Sequence, residues 1–173
     1  MPAVAKRRSK LLVIDATVVH AAGETEKVDS SATRNFLFAV LEICHRAVLT
    51  TQIRQEWSRH QSKVTRRWRV AMYARRKISE LNVSADLALR SRLTRRRNLD
   101  ASNAILKDAH LIEAAREADE IVVSMDERAR ALFNVQELKS ILWVNPISEP
   151  QRALDWLHDG APPVQEWKLG YRA

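Results

Sequence analysis

The chain has one cysteine, Cys44, so it can form no intrachain disulfide, and an intracellular, cytoplasmic location is expected. It lacks long apolar runs. The longest, such as 36–41, fall far short of the roughly 18 residues a membrane span needs, so no contact with a membrane is expected. The start carries Lys6, Arg7, Arg8 and Lys10, but the apolar run after it covers only 11–14 and has no cleavage-like site, which argues against a secretory signal. The histidines His20, His45, His60, His110 and His158 are scattered without ligand spacing, which disfavours a zinc site of the Cys/His type. Acidic residues are scarce in one segment: from Arg54 to Arg97 there are fourteen Lys or Arg against Glu56, Glu80 and Asp86. That excess of eleven exceeds the +8 of the whole chain. Such a field attracts phosphate chains, although a solvated helical face or an acidic protein partner accounts for the charge equally well.

With 46% apolar residues in 173, the chain suits one globular domain with an extension. Buried strands are expected at 11–14, 48–51, 121–124 and 141–144. Helices are expected at 33–46 with Ser30 and Ser31 as candidate caps, at 52–72 as one basic arm, and at 87–93, 103–118 and 127–133. Segment 77–83 reads as either a loop or a short strand. Cys44 falls in helical phase with Phe36, Leu37, Val40 and Leu41, so its thiol is expected in the core. Alternating strands and helices imply right-handed crossovers and a parallel sheet. The expected class is therefore α/β, a three-layer α/β/α arrangement with four to five parallel strands. After Asn145 come four prolines, a short helical stretch and several aromatics, so the domain is expected over 1–145, with 146–173 packing on it or on a partner.

Three carboxylates follow short apolar runs: Asp15 after 11–14, Glu56 after 48–51, and Asp126 after 121–124. Parallel strands would open their carboxyl ends on one edge of the sheet, where open α/β folds bind ligands. Asp108 lies three residues after Ile105 and four before Ile112, so it projects along their apolar face, where an ionised carboxylate needs a partner or a cation. Taken singly, each acid has an ordinary alternative: a helix cap for Asp15 and Asp126, a first-turn charge for Glu56, and a bridge to Lys107 or Arg128 for Asp108. Taken together, they form a candidate site for a hard cation.

The order and separation of four segments resemble the PIN-domain nucleases: Leu-Leu-Val-Ile-Asp-Ala-Thr at 11–17, Leu-Thr-Thr-Gln-Ile-Arg-Gln-Glu at 49–56, Lys-Asp-Ala-His-Leu-Ile-Glu-Ala-Ala at 107–115, and Ile-Val-Val-Ser-Met-Asp at 121–126. The resemblance covers most of 11–145. It implies a parallel sheet flanked by helices, and catalytic, metal-binding acids Asp15, Glu56, Asp108 and Asp126 that hold Mg²⁺ or Mn²⁺ and cleave phosphodiester bonds, usually in RNA. Thr17 and Ser124 fall where family members carry a small polar residue that orients an acid or a water. Arg59, Arg66, Arg67, Arg75, Arg76, Arg95, Arg96 and Arg97 would then hold the RNA backbone, giving affinity more than sequence choice. Small members resembling VapC toxins imply a cognate antitoxin and a homodimer.

Three alternatives stay open on the residues. A housekeeping RNA-processing nuclease would need the same acids. A non-catalytic RNA-binding or protein-interaction module would use the same basic segment, although a phosphate binder gains nothing from a buried acidic cluster. A phosphatase with Asp15 as nucleophile would usually carry a second Asp where this chain has Thr17.

Overall fold

The computed structural model describes residues 8–172. The basic start at Lys6 and Arg7 lies outside the described residues. Five strands form one all-parallel sheet: β1 (Leu11–Ile14), β2 (Arg46–Leu49), β3 (Ile78–Glu80), β4 (Ile121–Val123) and β5 (Leu142–Val144), in the order β3-β2-β1-β4-β5. The four strands other than β3 are almost wholly buried. That is why they read as continuous apolar runs rather than as alternating ones. The class is α/β, as expected, with eight α-helices among the described residues.

The helices are α1 (Ala16–Ala21), α2 (Val28–Glu42), α3 (Thr51–Arg59), α4 (Lys63–Ala74), α5 (Leu87–Thr94), α6 (Leu99–Arg116), α7 (Glu127–Phe133) and α8 (Pro150–His158). The chain moves from β1 outward to β3, then returns to β4 beside β1 and continues to β5. Right-handed crossovers therefore put α1–α4 on one face and α5–α7 on the other. The packing agrees: α2 lies against α1, α4 and α8, while α6 lies against α5 and α7.

Several local expectations are corrected. The second strand ends at Leu49, because Thr50 leaves the sheet to cap α3 by accepting the Ile53 N–H at 3.2 Å. The helix expected at 33–46 begins at Val28 and takes Ser30 and Ser31 into its first turn, where Ser30 Oγ accepts from Gly23 N and Ser31 Oγ donates to the Val28 carbonyl. It ends at Glu42, so Cys44 lies beyond the helix and is exposed rather than in the core. The arm expected at 52–72 is two helices, broken at 60–62, with Ser62 capping α4 by accepting from Thr65 N at 3.1 Å. The indole rings of Trp57 and Trp68 meet across that break at 5.5 Å, and both are fully buried. Segment 77–83 contains the edge strand β3, and α6 starts at its Asn98 cap, earlier than 103.

The segment after Asn145 packs on the sheet domain. It adds Ala153, Trp156, Leu157, Trp167 and Leu169 to the same core. His45 Nε2 donates to the Leu157 carbonyl at 2.9 Å, and Lys168 bridges to Leu142, which covers the β5 edge. Among the described residues, no helix is long and apolar enough to cross a membrane.

Candidate metal centre at the carboxyl ends of the strands

Strand β1 sends the chain to β2 on one side, and β4 lies on its other side. The carboxyl ends of β1 and β4 therefore mark the topological switch point, where open parallel sheets leave a crevice. Asp15 directly follows β1, and Ser124 and Asp126 follow β4. The ladder extends past both strands, with Asp15 N donating to the Val123 carbonyl at 2.9 Å and Ser124 N to the Val144 carbonyl at 3.0 Å.

Asp108 reaches the same level from α6. That helix runs antiparallel to the strands and ends at Arg116 near the start of β4. Eight residues of α-helix span about 12 Å, close to the length of a four-residue strand, so Asp108 stands level with the carboxyl edge. The first half of α6 overhangs that edge.

Asp15, Asp108 and Asp126 line one cavity of about 200 Å³, with Thr17, His20, Glu56, Arg59 and Lys107 also in its wall. Asp15 occupies the N-cap position of α1, but its side chain makes no cap hydrogen bond. Its Oδ2 instead accepts from Thr17 Oγ1 at 2.7 Å and Ser124 Oγ at 2.6 Å. Ser124 Oγ in turn accepts from Asp126 N at 3.1 Å, and Thr17 Oγ1 from Met125 N at 3.3 Å. The two hydroxyls thus fix the Asp15 carboxylate to both strand ends. Asp126 does cap its helix, with Oδ1 accepting from Ala129 N at 2.8 Å.

Asp108 has no ion pair among the described residues, so the bridge to Lys107 or Arg128 is not made. Burial pushes its carboxyl up to about 6; the Lys107 charge opposes that shift, and the charges of Asp15 and Asp126 add to it. Glu56 behaves differently. It sits in the second turn of α3 rather than at a strand end, and His110 Nε2 faces its Oε2 at 3.1 Å. Burial would raise its carboxyl, but His110, with smaller help from Gln52 and Arg59, holds it below the usual value. His20 Nε2 donates to the Glu56 carbonyl at 3.0 Å.

Among the described residues, no three His, Cys, Asp or Glu side chains already stand in a metal-holding arrangement. The chemistry of the donors nevertheless fits a hard divalent cation. They are carboxylate oxygens, and Mg²⁺ binds through one or two of these while keeping several waters. Asp15 offers Oδ1, and Asp126 offers Oδ2. The raised Asp108 comes chiefly from burial, with a smaller push from Asp15 and Asp126, and a cation held among these carboxylates would oppose both.

The expected RNA-binding arginines do not form one surface. Arg59 lines the acid cavity. Arg66 and Arg67 are exposed on α4. Arg75 pairs with Glu42 at 3.0 Å. Arg75 and Arg76 lie where α4 returns to the start of β3, on the sheet edge opposite the acids. Arg95, Arg96 and Arg97 form the turn before the overhanging half of α6.

Three groups without a predicted site role stand here: His20 and Lys107 in the cavity wall, and His110 against Glu56. Mutual spacing of the histidines does not reveal them, but spacing from the acids does, since His20 follows Asp15 by five residues through α1 and His110 follows Asp108 by two. No family model, curated protein or solved structure matches the chain.

Proposed function

We propose that the protein is a divalent-metal-dependent endoribonuclease, the activity implied by its resemblance to PIN-domain nucleases. The observation that carries this reading is the convergence of Asp15, Asp108 and Asp126 on one cavity at the switch point of a parallel sheet. Asp15, Asp126 and Asp108 would hold Mg²⁺ or Mn²⁺, with Glu56 farther out because His110 engages it. The chemistry such an ion would supply there is a lowered water pKa and compensation of charge on the phosphate and leaving oxygen. Thr17 and Ser124 keep the Asp15 carboxylate oriented, and Arg59 supplies a cation for a phosphate at the cavity wall.

The experiment is RNA cleavage by the wild-type chain with and without Mn²⁺, compared with Asp15→Asn and Asp126→Asn. We expect metal-dependent cutting that falls at least about a hundredfold in either variant, the scale on which losing one charge-stabilising group slows catalysis. Equal rates in wild type and variants would reject the assigned site. A toxin role, with an antitoxin partner and a homodimer, belongs to the same proposal. It is tested by growth arrest on expression and by its relief when a neighbouring gene is co-expressed.

A further inference from the structure

A second cavity of about 320 Å³ opens beside the acids, between α3, segment 81–86 and α6. It shares Glu56 and Arg59 with the acid cavity, so the two adjoin at these side chains. Its volume lies at the small end of ligand pockets, the size range of a single small molecule.

Both carboxylates in its wall are already hydrogen-bonded. Glu113, buried to 5% exposure, accepts from Arg90 Nε and Nη2 and from Asp86 N, each at 2.8 Å. Glu56 is paired with His110. Arg59, on the shared wall, has no ion pair among the described residues. The same wall carries the amides of Gln52, Gln55 and Asn82, with Leu81 and Val83 beside them. Gln55 and Asn82 make no side-chain hydrogen bond among the described residues. Primary amides match the donor and acceptor edges of a nucleobase, and splayed bases of single-stranded RNA are bound by their edges against apolar or guanidinium surfaces.

We infer that this cavity is a base-binding subsite, taking the nucleobase next to a phosphate held at the acids, with Gln55 and Asn82 reading the base edge and Arg59 bridging to the phosphate. The inference rests on the nuclease reading for its orientation, but not for its binding chemistry. Behind the subsite, buried Glu113 ties α6 to Arg90 of α5 and to the Asp86 end of segment 81–86.

The test uses the full chain, ¹⁵N-labelled, titrated in Mg²⁺ with AMP, GMP, CMP, UMP and ribose 5-phosphate. The signals read are the side-chain amides of Gln55 and Asn82. At least one nucleotide should shift both amides and bind about tenfold more tightly than ribose 5-phosphate, as expected for one good base contact. Gln55→Ala combined with Asn82→Ala should bring that ratio near unity while leaving the melting midpoint unchanged, since both side chains are exposed. Amides unmoved by all four nucleotides, or a preference that survives the double variant, would overturn the subsite. Shifted amides in a chain that cuts no RNA would keep the subsite and remove the nuclease reading. Metal-dependent cutting with unmoved amides would do the reverse.

Discussion

Asp108 is the residue at which the acidic cavity weighs most on stability. Its ordinary value is 3.8 and its folded value about 6, so between those values the folded chain binds more protons than the unfolded one. A folded-state pKa raised in this way makes stability fall as pH rises through the window. The ionised carboxylate then costs the metal-free protein on the order of 2–3 kcal/mol at neutral pH. In EDTA, Asp108→Asn should therefore be more stable than wild type at pH 7 and no more stable at pH 4, measured by urea unfolding. A difference equal at both pH values would detach the shift from Asp108. Mg²⁺ should stabilise wild type at pH 7 and lose that effect as Asp108 takes up its proton. At Glu56 the direction reverses: His110→Ala should let the Glu56 carboxyl rise, read by carboxyl-carbon NMR titration. The acids were legible in the sequence because Asp15 and Asp126 follow buried runs and Asp108 sits in phase with Ile105 and Ile112. The His110 pairing was not legible, since it joins residues 54 apart on separate helices.

At the scale of elements, the break between α3 and α4 decides where the basic segment points. Ile53, Trp57, Val64, Trp68 and Met72 keep helical phase across 60–62, because both helices bury the same side and Trp57 packs on Trp68. Periodicity alone therefore reads one helix. Only the local pair Ser62 and Thr65 carries the break. Ser62 Oγ accepts from Thr65 N and donates to the Ala22 carbonyl at 2.7 Å, tying the start of α4 to the end of α1. Ser62→Ala should cost about 1 kcal/mol, the usual loss of an N-cap, in chemical denaturation. Trp57 Nε1 donates to the Ile14 carbonyl at 2.9 Å, one residue before Asp15, so α3 also braces the end of β1. The shifted start of α2 and end of β2 have a similar cause. Polar first turns and caps such as Thr50 carry no apolar signal, so the pattern fixes an element's middle better than its ends.

Across the whole molecule, arginines of the basic segment stand at two opposite edges of the sheet. Arg59 stands at the acid cavity, whereas Arg75 and Arg76 stand at the far edge and Arg75 is paired with Glu42. If the chain is the proposed nuclease, then in an Asp15→Asn background Arg59→Ala should weaken single-stranded RNA binding and flatten its dependence on salt, while Arg75→Ala should change neither, measured by fluorescence anisotropy. Equal effects would mean that charge acts through the overall field alone. The parallel sheet itself was legible, since alternating buried runs and helices allow few topologies. The strand order was not, because it depends on which face each crossover takes. That order has a consequence for synthesis. β1 emerges early but ends in the middle of the sheet, and its second neighbour, β4, is more than a hundred residues downstream. A nascent chain that stops before Ile121 leaves β1 with one side bare and has neither Ser124 nor Asp126. Synthesis thus delays assembly of the acid cavity until translation has passed Asp126.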